Sequence, residues 1–137
     1  MITEDYVSFE TAKLLKEKGF DENTEHEIWY VIKQFSTGCH WNSCTYKVGD
    51  ITREYDGACC ISMPTLQMAM KWLREVHNIH ISVYPFNREL PITENTPYTC
   101  DVATKKLSPM RGHLRGTWKT YEQACEAAIK YCLKNLI

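Results

Sequence analysis

Residues 64–78, PTLQMAMKWLREVHN, run directly into IHISVYP, and this junction constrains the fold more than any other stretch of the chain. Leu66, Ala69, Met70, Leu73 and Val76 recur at the three- and four-residue spacing of one buried helix face, with Trp72 flanking it. Pro64 suits the first helical position, because its missing amide would have had no partner there. From Ile79 the period changes to two. Ile79, Ile81 and Val83 alternate with His80, Ser82 and Tyr84, so a strand follows the helix after a very short turn. Pro85 ends that strand or places it at an edge. Met68 and Met70 among Leu and Ala on such a stripe are packing residues rather than the wall of an adaptable groove.

Two further helices bracket the chain. The first starts at Ser8, whose hydroxyl can accept from the free amides of the first turn, with Glu10 favoured by the positive helix end. Phe9, Ala12 and Leu15, with Leu14 beside them, form its apolar stripe, and KEKG supplies cations and a stop near Gly19. The last helix opens on a capping box of Thr120 and Gln123. Ala124, Ala128 and Tyr131 give it a stripe, with Cys125 and Cys132 alongside, and residues this small let a helix lie close to a sheet. Between the first two helices IWYVIKQF reads as a strand, and TYKVGD and ITREYDG as two weaker strands broken by Gly49 and Gly57. After the middle helix YTCDVATKKL reads as a returning strand, and TWK can pair briefly beyond it.

Strands that follow one another through short turns imply antiparallel pairing, and helices that interrupt them must cover that sheet. The expectation is an α+β fold forming a single domain over residues 1–137. It has an antiparallel sheet of about four strands and three helices in the order α-β-β-α-β-β-α, with the helices mainly on one face. A length of 137 residues suits one core, and 44% hydrophobic with 24% charged residues is ordinary globular usage. Sixteen Lys and Arg against 17 Asp and Glu leave a net charge of -1, so no overall positive field draws the chain to nucleic acid or an anionic membrane. The opening MITEDYVSFE has early acids and no apolar run of signal length, and no stretch approaches a membrane span. A soluble cytoplasmic protein is expected. Its cysteines number 7, an odd count, and in a reducing compartment they serve as small apolar groups rather than disulfides.

Three stretches, YVSFETAKLLKEKGFD, PTLQMAMKWLREVHNIHISVYP and TYEQACEAAIKYCLKNLI, resemble a group of small uncharacterised proteins of Bacteroides-type gut bacteria and their prophages or mobile elements. The likeness covers both ends and the middle helix and is weakest from Phe35 to Met63. It implies a setting rather than a chemistry: a phage or mobile-element accessory protein, of a kind that often acts by binding.

Two constellations are candidates for chemistry. In GCHWNSC and the CC that follows, Cys39, His40, Cys44, Cys59 and Cys60 offer enough donors for a tetrahedral metal centre. Their spacing argues against one, because neighbours such as Cys59 and Cys60 rarely face one ion and no C-x-x-C pair occurs. Ordinary thiols and a loop histidine are the preferred reading. Cys39 beside His40, or Cys100 beside Asp101, meets only the sequence half of what an activated nucleophile needs. His77 in the last turn of the middle helix suits the negative helix end, and His80 faces outward on its strand.

The second constellation is KKLSPMRGHLRGTWK, residues 105–119. It gathers Lys105, Lys106, Arg111, Arg115 and Lys119 around His113 and Trp118 without an acid. Arginines there can hold phosphate in bidentate fashion and Trp118 can stack a base, although charge runs are more often solvated surface. No P-loop or dinucleotide fingerprint accompanies it. Scattered acids such as Glu4, Asp5, Asp21 and Glu22 fit helix ends rather than acid–base catalysis.

The reading is therefore a non-enzymatic accessory protein that binds a protein partner and needs no cofactor. The alternatives are a nucleotide or nucleic-acid module using residues 105–119 and a Cys/His metal or thiol protein centred on residues 39–60. A homodimer through IWYVIKQF or the terminal helix is a further expectation.

Overall fold

The structure, a computed structural model, describes residues 2–22, 27–31, 44–48, 51–55, 58–87, 91–105, 114 and 116–137; from 27 to 61 only the backbone is described. Helix α1, Phe9–Glu17, begins where the capping serine predicts: Ser8 Oγ accepts from the Thr11 amide. It ends in a left-handed turn at Gly19, φ 93°, where the Gly19 amide donates to Lys16 O and Phe20 N to Leu15 O. This is the paired closure that satisfies the last carbonyls of a helix, and it buries Phe20 against the same core as Leu15. A side chain at position 19 has space around it but would strain the backbone.

Four strands follow before the next helix. Strand β1, Glu27–Val31, pairs antiparallel with β4, Ala58–Ser62, and β2, Cys44–Val48, pairs with β3, Ile51–Tyr55. Helix α2, Leu66–His77, is capped by Thr65, whose hydroxyl accepts from Met68 N. Pro64 thus precedes the cap instead of opening the helix, and its carbonyl is used by the Val7 amide at 3.0 Å. Asn78, left-handed at φ 55°, terminates α2, and the Ile79 amide also donates to Leu73 O. Strands β5, His80–Pro85, and β6, Tyr98–Ala103, form the third antiparallel pair, and α3, Tyr121–Asn135, closes the chain behind the Thr120 cap.

An α+β architecture with three helices and antiparallel pairing is what the period changes predict. The expected single sheet of about four strands in the order α-β-β-α-β-β-α is replaced, among the described residues, by six strands in three two-stranded pairs. ACCIS, weighed in the sequence for its thiols, is a strand, and it takes β1 as partner in place of a neighbour in sequence. Among the described residues Trp118 meets the other edge of β6, through two reciprocal backbone bonds of 2.8 Å to Tyr98.

Helix α3 organises the described core. It packs against α1, α2, β5 and β6, and Ala124, Cys125, Ala128, Ile129, Cys132 and Leu133 are all wholly excluded from solvent. The alanines and cysteines let the backbones approach, and Leu15, Leu73 and Ile79 fill the space beyond them. On β5 the predicted alternation holds: Ile81 and Val83 pack on the core while His80 and Ser82 are exposed. Two details of α2 differ. Val76 is 60% exposed, and the inward position at the end of the helix goes to His77, whose ring sits edge-on to Trp72 at 4.7 Å. The cause is the 3.6-residue period, which carries the stripe from Leu73 to the residue four along. Among the described residues, no helix is long and apolar enough to cross a membrane.

Candidate binding groove

A second structural consequence follows from where the helices start. Residues 5–7 run against 64–66, held by Val7 N to Pro64 O at 3.0 Å and Leu66 N to Asp5 O at 2.9 Å. That clip brings the first turns of α1 and α2 together, and α3 starts beside them after Trp118. Between them lies an open groove of about 540 Å³. Its lining comes from four separate parts of the chain: Asp5, Tyr6 and Ser8; Leu66; Trp118; and one face of α3 from Glu122 to Lys130.

Trp118 is held from two sides. Its backbone is bonded to Tyr98, and its ring lies over Gly116, where a Cβ would meet ring atom Cη2 at 3.4 Å. Thr99 Oγ1 donates to Gly116 O at 3.1 Å and fastens that approach to β6. The indole is half-buried, leaving part of it for a ligand. Tyr6, 38% exposed, presents the other aromatic surface, and Ala127 and Leu66 supply aliphatic floor.

The polar groups of the groove divide into committed and uncommitted. Glu126 is structural: its Oε1 accepts from Ser8 N at 3.0 Å and from Thr11 Oγ1 at 2.5 Å, joining α3 to the start of α1. Thr11 is fully buried, and this carboxylate together with Ser8 satisfies it. Lys130 is occupied by Glu10, Nζ to Oε2 2.9 Å, and Lys134 approaches the same carboxylate at 3.6 Å. The two ammonium groups, Lys130 first by hydrogen bond and by charge, hold the Glu10 carboxyl below its ordinary range. Neither hydrogen bond nor ion pair engages the Asp5 and Glu122 side chains among the described residues.

The residues singled out in the sequence are distributed unevenly. Trp118 is in the groove, in one lining with Asp5, Glu122 and Glu126. Lys119 and Lys105 are exposed outside its lining, and Lys106, Arg111, His113 and Arg115 lie outside the described residues. Of the metal candidates, Cys39 and His40 also lie outside them. Cys44 opens β2 opposite Tyr55, and Cys59 and Cys60 take successive positions of β4, opposite Tyr30 and Trp29. Among the described residues, no cluster of three or more His, Cys, Asp or Glu is placed to hold a metal.

Cys100, Cys125 and Cys132 are free and buried, and burial pushes their thiols up to about 11, 11 and 12 respectively. At neutral pH they are protonated and packed, so the Cys100–Asp101 neighbourhood does not make a thiolate nucleophile. Asp101 instead accepts from Tyr84 Oη at 2.9 Å across the β5–β6 ladder.

The groove itself was missed in the sequence because each of its acids has a local explanation at a helix start. The available signal was the spacing Glu122, Glu126, Lys130, one residue per turn on a single face. Comparison of the chain with protein-family models, with curated proteins and with solved structures finds no match.

Proposed function

We propose that the chain is a small, cytoplasmic, non-enzymatic accessory protein of phage or mobile-element type, and that it acts by docking a protein partner in the groove between the three helix starts. The observation that supports this reading most is the composition of the groove. Two aromatic rings, Tyr6 and Trp118, and an aliphatic floor of Leu66 and Ala127 come together in one open groove. Partly exposed aromatics held rigidly from behind are the surfaces on which protein segments anchor. The polar groups around them are the carboxylates of Asp5, Glu122 and Glu126, the Gln123 amide, the Ser8 hydroxyl and the Lys130 ammonium.

The resemblance of both chain ends and α2 to mobile-element proteins supports the setting. The phosphate-binding alternative rests on Arg111, His113, Arg115, Trp118 and Lys119, and the metal alternative on Cys39 to Cys60.

Site-specific photo-crosslinking tests the docking reading. A benzophenone amino acid at Gln123, inside the groove, should capture one discrete protein in host cells, whereas the same group at exposed Ser82 should not. Capture should fall at least severalfold with Trp118→Ala and persist with Arg111→Ala/Arg115→Ala. Equal labelling from positions 82 and 123 would overturn the reading. Loss on the double arginine change would move the function to residues 105–119.

A further inference from the structure

The charge of the groove specifies what part of a partner can enter it. We infer that the group seated against Trp118 is an arginine side chain on an extended segment of the partner, an inference that rests on the docking reading.

Two opposing fields meet there. Ser8, Leu66 and Glu122 mark the first turns of three helices, and each helix start carries at most about half a positive charge, roughly +1.5 together. The side chains of Ser8, Thr65 and Thr120 already accept one amide each, which spends part of that field. Against it stand three carboxylates, Asp5, Glu122 and Glu126. Among the described lining residues the one cation is Lys130, which is paired with Glu10. The balance among the described lining side chains is negative, which favours a cation over an anion such as phosphate.

The shape of the cation follows from its neighbours. A guanidinium is planar, stacks on an indole or phenol face and pairs with carboxylate oxygens through a fixed fork of donors, whereas an ammonium offers only a strongly hydrated point charge. Trp118 and Tyr6 provide the faces, and Asp5 and Glu122 the oxygens that no other described group engages. The volume, about 540 Å³, exceeds one side chain and leaves space for the residues on either side of the arginine.

The test uses the full chain with 15N-labelled tryptophan and reads the Trp118 indole N–H signal, identified by its loss in Trp118→Phe. Titration with acetyl-arginine methylamide should move that signal to saturation. Its neutral isostere, acetyl-citrulline methylamide, should move it far less. Asp5→Asn and Glu122→Gln should each weaken arginine binding by about two- to fivefold, as for partly exposed ion pairs, and raised salt should weaken it further. Equal response to citrulline, a response to inorganic phosphate instead, or an unmoved Trp118 signal would overturn the inference. In those cases groove-specific crosslinking from position 123 would still stand, and only its loss would remove the docking reading itself.

Discussion

The two faces of α3 differ in nearly every physical respect although they alternate along one helix. Residues 124, 125, 128, 129, 132 and 133 form the face toward α1, α2 and the β5–β6 pair, and each is wholly buried. Residues 122, 123, 126, 127 and 130 line the groove. The two sets are offset by two positions, about 200° around the helix. The first set uses Ala, Cys, Ile and Leu, whose value is volume; the second, Ala127 apart, uses Glu, Gln and Lys, whose value is charge and hydrogen bonding. The difference teaches that one helix can hold the core together while leaving a site beside it.

The largest effect should come from opening the buried face. Leu133→Ala removes most of a fully buried side chain and should cost about 2 to 5 kcal/mol in denaturant unfolding, with the slope unchanged. A loss within about 0.5 kcal/mol would show that this face is not the core. The buried thiols of α3 and β6 give the core a pH signature. Folding raises Cys100, Cys125 and Cys132 from 9.0 to about 11, 11 and 12, so the stability they contribute is complete below pH 9.0. It is lost as pH rises toward those values, because the unfolded chain ionises first. The denaturation midpoint should therefore fall between about pH 8 and pH 10.5, and a flat profile would contradict the burial of the three sulfurs.

A middle-sized effect tests whether the groove face is purely functional. Glu126 belongs to that face by position, yet it accepts from Ser8 N and from the buried Thr11 hydroxyl. Glu126→Ala leaves Thr11 without that acceptor and should cost about 1 to 3 kcal/mol, and Glu126→Gln, which retains a carbonyl oxygen, should recover much of it. Glu122→Gln on the same stripe should stay within about 0.5 kcal/mol by the same unfolding measurement. If Glu122→Gln and Glu126→Ala cost the same, the division between committed and uncommitted carboxylates is wrong.

How much of this was legible in the sequence follows the same division. The buried face reads well, because local chemistry and global burial agree there: Ser8 and Thr120 mark helix starts, Ile79 to Val83 alternate, and Cys125 and Cys132 are packing groups. The strand at Ala58–Ser62 did not read as one, since cysteines carry no strong strand preference and their pairing with β1 spans about thirty residues of chain. Pro64 was placed two residues too far into its helix, because its tie to Val7 is a tertiary contact. The groove is the least legible part. Asp5, Leu66, Trp118 and Glu122 come from separate segments, and each has a sufficient local role as a cap neighbour, core residue or loop aromatic. Only the clip between residues 5–7 and 64–66 brings them to one place.

The smallest predicted effect lies where the two faces are stitched together at the surface. Glu10 on α1 receives Lys130 and Lys134 from α3, is 62% exposed, and has its carboxyl lowered from the ordinary 4.5. A lowered folded value means that the pair's contribution is fully present above pH 4.5 and disappears as pH falls through the depressed value, because protonation in the folded state must then break it. The unfolding midpoint of the unaltered chain should thus drop slightly more than that of Glu10→Gln between neutral pH and about pH 3, and the gap should shrink with added salt. Indistinguishable acid profiles in low salt would mean that solvent already screens the triad. The joint between α1 and α3 would then rest on the Glu126 bonds to Ser8 and Thr11 and on the packing of Leu15 and Leu133.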